Sequence, residues 1–142
     1  MHNMLETIAA NPSLRILRRA LEIAGLEERL TMTGPHTFFA PSDAAFDRLN
    51  LEELLVDRPR LTEILRYHLV SEQRHTRELD VVIVDTLLTE QGKSLSVYFD
   101  ENNVMIDNAH IVEGNIECTN GLIHIIDNVF LPQHSGWYET LA

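Results

Sequence analysis

The sequence predicts an α+β fold with helices mainly in the N-terminal half and strands behind them. Three observations carry this. Leu14, Leu17, Leu21 and Ala24 recur at helical spacing in the first third. Leu95, Val97 and Phe99 alternate with Ser96 and Tyr98, which is the period of a strand. Near the end, Asn120-Gly121 precedes Leu122-Ile123-His124-Ile125-Ile126, a run apolar on both faces and rich in β-branched residues. A second short apolar run, Val129-Phe130-Leu131, is stopped by Pro132.

Taken in order, the first helix in this reading carries the Leu14–Ala24 stripe, widened by Ile16, Ala20 and Ile23. Arg15, Arg18, Arg19 and Glu22 fall on its other side, where Arg18 and Glu22 can pair one turn apart. Gly25 is a natural C-terminal stop. Thr37-Phe38-Phe39-Ala40 reads as a short strand that Pro41 keeps extended and ends. Ser42 suits the N-cap of a helix beginning at Asp43. Asn50 followed by Glu53 resembles a capping box for a helix over Leu51–Val56. Pro59 starts another helix, expected to run to about Leu69. In the second half, Leu95–Phe99 and Val104–Ile106 form a hairpin across the loop Asp100-Glu101-Asn102-Asn103. Ala109–Val112 and Ile116–Thr119 read as two short strands with a bend at Glu113-Gly114-Asn115. The Asn120-Gly121 turn is expected to use positive φ angles.

A chain of 142 residues is long enough to bury its own core as one domain. The net charge of −11 opposes binding to nucleic acid or docking on anionic lipid. The charge is uneven: residues 1–80 hold 10 Arg against 13 acids, whereas residues 81–142 hold only Lys93 against 9 acids. Such a surface is first of all solvated and keeps the protein soluble. Cys118 is the only cysteine, so no intrachain disulfide forms, and without a basic neighbour in sequence it reads as a structural thiol. No transmembrane run and no signal peptide are present; the chain is either cytoplasmic or, if an export signal was trimmed, a surface, periplasmic or secreted protein.

Three segments together carry a family resemblance. They are Thr37-Phe38-Phe39-Ala40-Pro41-Ser42-Asp43-Ala44-Ala45-Phe46, the pair Tyr67-His68 followed by Leu69-Val70, and Asn120 to Pro132. In that order and spacing they resemble the fasciclin domain, also called FAS1 or beta-Ig-H3/fasciclin, in the form of a bacterial single-domain member. The likeness covers residues 4–132 and leaves 133–142 as a tail. It implies a compact β wedge or sandwich flanked by helices. It also implies a non-enzymatic module for cell adhesion or protein interaction, with an unknown protein or surface partner and no cofactor.

Two contact regions follow from the resemblance. One is Tyr67-His68 with Leu65, Leu69 and Val70. The residues themselves point inward, since Leu61, Ile64, Leu65 and His68 share one helical face. The other is Glu113-Gly114-Asn115-Ile116-Glu117, at the place where animal members carry an Asp-Ile element proposed to bind integrin. Here Asn115 replaces the Asp, and an amide cannot supply the carboxylate that a receptor's metal ion needs.

An enzyme reading finds little support. The seven histidines show no spacing of a metal site, and Ser42, which could be set with Asp43 and His68 or His124, lacks the glycines of a nucleophile elbow. His124 reads as a buried, hydrogen-bonded residue on the face of Leu122 and Ile126, through which acid would loosen the sheet. An alternative function is small-ligand or lipid binding in a groove between helices and sheet. Trp137 and Tyr138 in the tail are expected to pack back on the domain.

Overall fold

The computed structural model describes residues 2–47, 49–70, 84–89, 91–92, 94–100, 103–107 and 109–130. The tail with Trp137 and Tyr138, together with Leu131 and Pro132, lies outside them. The helical elements are α1 (Met4–Ala10), α2 (Arg15–Ala24), a short 3₁₀ turn (Glu28–Thr31), α3 (Asp43–Phe46), α4 (Leu51–Val56) and α5 (Arg58–Arg66). The strands are β1 (His36–Pro41), β2 (Leu69–Val70), β3 (Val84–Leu88), β4 (Ser94–Asp100), β5 (Asn103–Ile106), β6 (Ala109–Cys118) and β7 (Gly121–Ile126).

Local chemistry sets the helix ends. Asn3 and Glu6 exchange side-chain and backbone hydrogen bonds of 2.8 and 2.9 Å, a capping box that starts α1. Gly25 takes the left-handed conformation, φ 74°, and ends α2 as its position in the sequence implied. The Ser42 hydroxyl accepts the Ala45 amide at 3.3 Å. Asn50 caps α4 through the Glu53 amide, but its return bond runs from its own side-chain nitrogen to the Glu53 carboxylate, not from its backbone. The amide of Ile16, in the first turn of α2, is satisfied from a distance: the Asp43 carboxylate accepts it at 2.8 Å. Asp43 thus ties the strand-to-helix corner to α2 as well as opening α3.

The seven strands among the described residues form one mixed sheet in the order β2-β1-β7-β6-β5-β4-β3. β1 and β7 run parallel, in register from His36 opposite Gly121 to Pro41 opposite Ile126. Every residue of both strands is buried. Alternation then splits their side chains between two cores. Phe38, Ala40, Ile123 and Ile125 join the residues of α1 to α5 on one side. Phe39 and Ile126 join Tyr67, Leu95, Ile106, Ala109 and Phe130 on the other, where the sheet curls over itself. The result is the α+β fold that the sequence predicts, with its helices in the N-terminal half.

Four boundaries differ from the sequence expectations. The helix begun near Pro59 stops at Arg66, because Leu69 and Val70 pair with Phe38 and Thr37 as strand β2. The two strands expected at 109–119 are one strand, β6, whose extra residues are absorbed by register shifts between Ile111, Glu113 and Ile116. Asp100 pairs with Asn103, so the hairpin loop is shorter than the four residues read from the sequence. The last turn has Thr119 and Asn120 at its centre, since Cys118 already pairs with Gly121. Asn120 has no positive φ. Gly121 does take a positive φ, 157°, and is needed for close approach as well, because a Cβ there would collide with the carbonyl of His36.

Asn120 is the polar knot of this crossing. Its side-chain oxygen accepts the Met4 amide at 3.0 Å, and its side-chain nitrogen donates to the carbonyls of Leu30 at 2.8 Å and Met32 at 2.9 Å. Its own carbonyl accepts the His36 amide at 3.1 Å. Replacing Asn120 with Ala removes three side-chain bonds and leaves buried backbone groups unmet. The expected loss is about 3 kcal/mol of unfolding free energy in urea titration. Asn120→Asp is expected to fare no better, because a carboxylate would face two carbonyl oxygens.

Candidate functional site

Tyr67 and His68 have no exposed surface. The Tyr67 hydroxyl lies 3.0 Å from the Asp107 carboxylate and 3.1 Å from the Ser94 carbonyl, so it ties the end of α5 to β4 and the β5–β6 turn. His68 Nδ1 lies 2.7 Å from the Ile64 carbonyl and therefore carries the proton. Its Nε2 accepts the Phe130 amide at 2.9 Å. The ring stacks on that of Phe130 with centroids 4.6 Å apart. Burial, only partly offset by the bond to Ile64, lowers the His68 pKa from 6.5 to about 4. Leu65, Leu69 and Val70 are buried with them. Among the described residues this candidate region is built into the core.

The second region is at the surface. Val112 is 65% exposed, and Glu113, Asn115 and Glu117 are exposed around it. Ile116 is half-buried and packs against the helical core. Beyond His110, β6 pairs with β7 alone among the described strands, so Ile111–Cys118 presents its other edge outward. Asn115 sits in the irregular part of this strand with φ 57°, a left-handed conformation that Asn tolerates. The conformation is held from behind: the Asn115 amide donates to Nδ1 of the fully buried His124 at 3.0 Å. His124 also stands 5.6 Å from the ring of Phe39. Buried, hydrogen-bonded His124 is what the sequence led us to expect. A proton on Nδ1 would set N–H against N–H and release the bulge.

The remaining chemistry is structural. Ser42 and Asp43 are engaged as caps, and His68 and His124 each accept a backbone amide. Cys118 is buried beside Thr7, with Sγ 3.4 Å from the Thr7 hydroxyl, and burial pushes its thiol pKa up. Among the described residues no three His, Cys, Asp or Glu side chains gather as metal ligands, and no helix is long and apolar enough to cross a membrane. Between helices and sheet lie buried side chains such as Leu17, Leu21, Phe38, Phe46, Leu61 and Ile123. An open cleft of about 580 Å³ lies elsewhere, on α1 and α2.

Sequence reasoning missed the Asn120 knot, the reach of Asp43 to α2 and the pairing of Asp127 with His110. In that pair the Asp127 carboxylate accepts the His110 amide at 2.7 Å. Each joins residues far apart in the chain, and no local pattern marks them.

Residues 12–132 match the model of the fasciclin domain. The chain is 32% identical over 134 residues to protein sll1735 of Synechocystis, covering 92% of this chain and 98% of that one. It is 34% identical over 102 residues to the cell surface glycolipoprotein MPB83 of Mycobacterium bovis, covering 70% of this chain but only 44% of that protein. Among solved structures it resembles a FAS1 domain pair from the insect cell adhesion molecule fasciclin I. The TM-score is 0.77 at 19% identity, over 94% of this chain and 52% of that one.

The buried histidines yield two expectations. The unfolded chain takes up a proton at His68 near pH 6.5, whereas the folded chain does so only near pH 4. The contribution of His68 is therefore complete above pH 6.5 and is lost as the pH falls towards 4, by about 3 kcal/mol in all. Urea unfolding of wild type and His68→Gln at pH 7 and pH 4 checks this: the stability gap between them is expected to shrink by that amount. For His124, replacement by Leu is expected to speed hydrogen exchange of the Asn115 amide about tenfold at pH 7. Unchanged exchange would show that His124 does not hold the bulge.

Proposed function

The chain belongs to the fasciclin domain family, and from that premise we propose that it is a non-enzymatic adhesion or protein-interaction module whose contact surface is the outer edge of β6, from Val112 to Glu117. The observation that carries this is the exposure of Val112 at the head of an acidic edge that no other described strand covers. An exposed apolar side chain beside polar ones suits a contact patch. The edge is blunted against indiscriminate strand pairing by its bulges and by Glu113 and Glu117. What remains is selective for a partner that brings positive charge to those carboxylates. Asn115 gives this edge an amide where the adhesion pattern has a carboxylate, so the contact does not depend on a metal ion at that position. The likeness to a mycobacterial cell surface glycolipoprotein supports a role in contact outside the cell. Tyr67 and His68 enter as the core against which the sheet is braced.

The test is capture of a partner from the native organism with the wild-type chain and with Glu113→Lys/Glu117→Lys. Both positions are exposed, so thermal unfolding is expected to stay within about 0.5 kcal/mol of wild type. Partner affinity is expected to fall at least tenfold. Equal capture by the two chains would remove β6 from the contact.

A further inference from the structure

Ten of the eleven basic residues are arginines of residues 1–80, and three of them share one helix turn. Arg15, Arg18 and Arg19 stand at i, i+3 and i+4 on the outer face of α2, all exposed. Like charges at that spacing oppose the helix that carries them. Arg15 is also in the first turn of α2, where the helix dipole disfavours a cation. Among the described residues, Arg18 has one loose pairing, to exposed Glu22 at 3.9 Å, while the side chains of Arg15 and Arg19 have no acidic partner. The fold gains nothing from this arrangement, because α2 is held by its buried face of Leu17, Ala20, Leu21 and Ala24 and by the Asp43 cap.

The same three arginines line the open cleft of about 580 Å³, with Glu22 as its single acid. The opposite wall is Ile8, Ala9, Ala10, Asn11 and Pro12, at the end of α1 and the turn that follows. Asn11 is fixed there, since its side-chain oxygen accepts the amide and the hydroxyl of Ser13 at 2.9 and 2.8 Å. Small side chains at Ala9 and Ala10 leave the cleft open. One wall is thus short and, apart from Asn11, apolar, and the other carries three guanidinium forks. The lining has a formal charge of +2, from three Arg and one Glu, on a chain of −11. From Arg15 to Glu22 the cleft extends about 10 Å along the helix.

We infer that this cleft is a binding site for a small organic phosphate. The dianionic phosphate is clamped by Arg15 and Arg19, with Arg18 released from Glu22 to join them. The organic body rests on Ala9, Ala10 and Pro12. Guanidinium forks match phosphate oxygens two at a time, which a lysine surface does not do. The volume falls within the range of small-molecule sites. The site lies on the helical layer and is independent of the β6 edge.

The experiment is an NMR titration of the full chain with phenyl phosphate at constant ionic strength, following the Nε–H signals of Arg15, Arg18 and Arg19 and the amides of Ala9 and Ala10. Saturable shifts with a millimolar or tighter Kd are expected, about tenfold weaker with inorganic phosphate, which lacks the apolar body. Arg15→Gln/Arg19→Gln is expected to abolish saturation. These positions are exposed, and an unchanged amide spectrum elsewhere confirms that the variant folds. Glu113→Lys/Glu117→Lys is expected to bind phenyl phosphate as wild type does, so failure of the β6 contact and failure of this site are read separately. Linear shifts without saturation, or saturation that survives in the double arginine variant, would overturn the site. So would shifts at these positions that follow protein concentration without the probe, which would make a second copy of the chain the occupant.

Discussion

The parallel pairing of β1 with β7 is the constraint on which the rest of the structure depends. It joins the first third of the chain to its end, and all twelve residues that the pairing aligns are buried. A parallel pair has no short hairpin to hold it and needs cover on both faces. Here α1 to α5 supply one cover, and the curled-over strands β4 to β6 with Phe130 supply the other. The two backbones also come unusually close where they enter the sheet. Gly34 and Gly121 make that possible, since a Cβ on either would meet the backbone of Asn120 or His36 respectively. Asn120 then fastens the crossing to the N-terminus of α1 and to the segment around Leu30.

Polar groups inside the domain serve this joint. His68 connects α5 to Phe130, Tyr67 connects α5 to β4 and to Asp107, and Asp43 connects the end of β1 to α2. Each has a definite partner, so each adds direction to a core that apolar packing alone would leave tolerant. The two surfaces proposed to serve another molecule, the Val112–Glu117 edge and the arginine wall of α2, lie outside these connections. The acidic edge and the basic cleft belong to different layers, the sheet and the helices. That separation lets them change independently of one another and of the core.

Much of the fold was legible because its signals are local. The stripe of α2, Gly25 after it, Ser42 before α3 and the alternation at Leu95–Phe99 each lie within a few residues of what they specify. The end of α5 was not legible, because the pattern Leu61, Ile64, Leu65, His68 continues past Arg66 and only pairing with β1 turns the chain into a strand. The continuity of β6 was hidden for a related reason. Glu113-Gly114-Asn115 has the composition of a bend, yet the ladder to β7 keeps the strand going by absorbing the extra residues as a bulge. Of the candidate site, Glu113–Glu117 could be placed at the surface from sequence. The burial of the Tyr67-His68 region was legible from the face that Leu61, Ile64, Leu65 and His68 share, whereas the bonds of the Tyr67 hydroxyl to Asp107 and Ser94 were not. The cleft on α1 and α2 went unread because Arg15, Arg18 and Arg19 look like an ordinary solvated face until the opposing wall is known.

A strand that is apolar on both sides has given up the contrast by which a sheet ordinarily decides which side faces in. Shifted by one place, β7 would still bury isoleucines above and below. What makes the true alignment the preferred one is a sparse code of non-interchangeable residues spaced along it. Gly121 fits only where it meets His36, and Asn120 only where three backbone groups converge. His124 must face the Asn115 amide, and Asp127 that of His110. A shift by one in either direction would put side chains without these capacities at the places of Gly121, Asn120 and His124 at once. The few polar residues in and around β7 therefore act as alignment marks, and the apolar ones between them supply cohesion without choosing the frame.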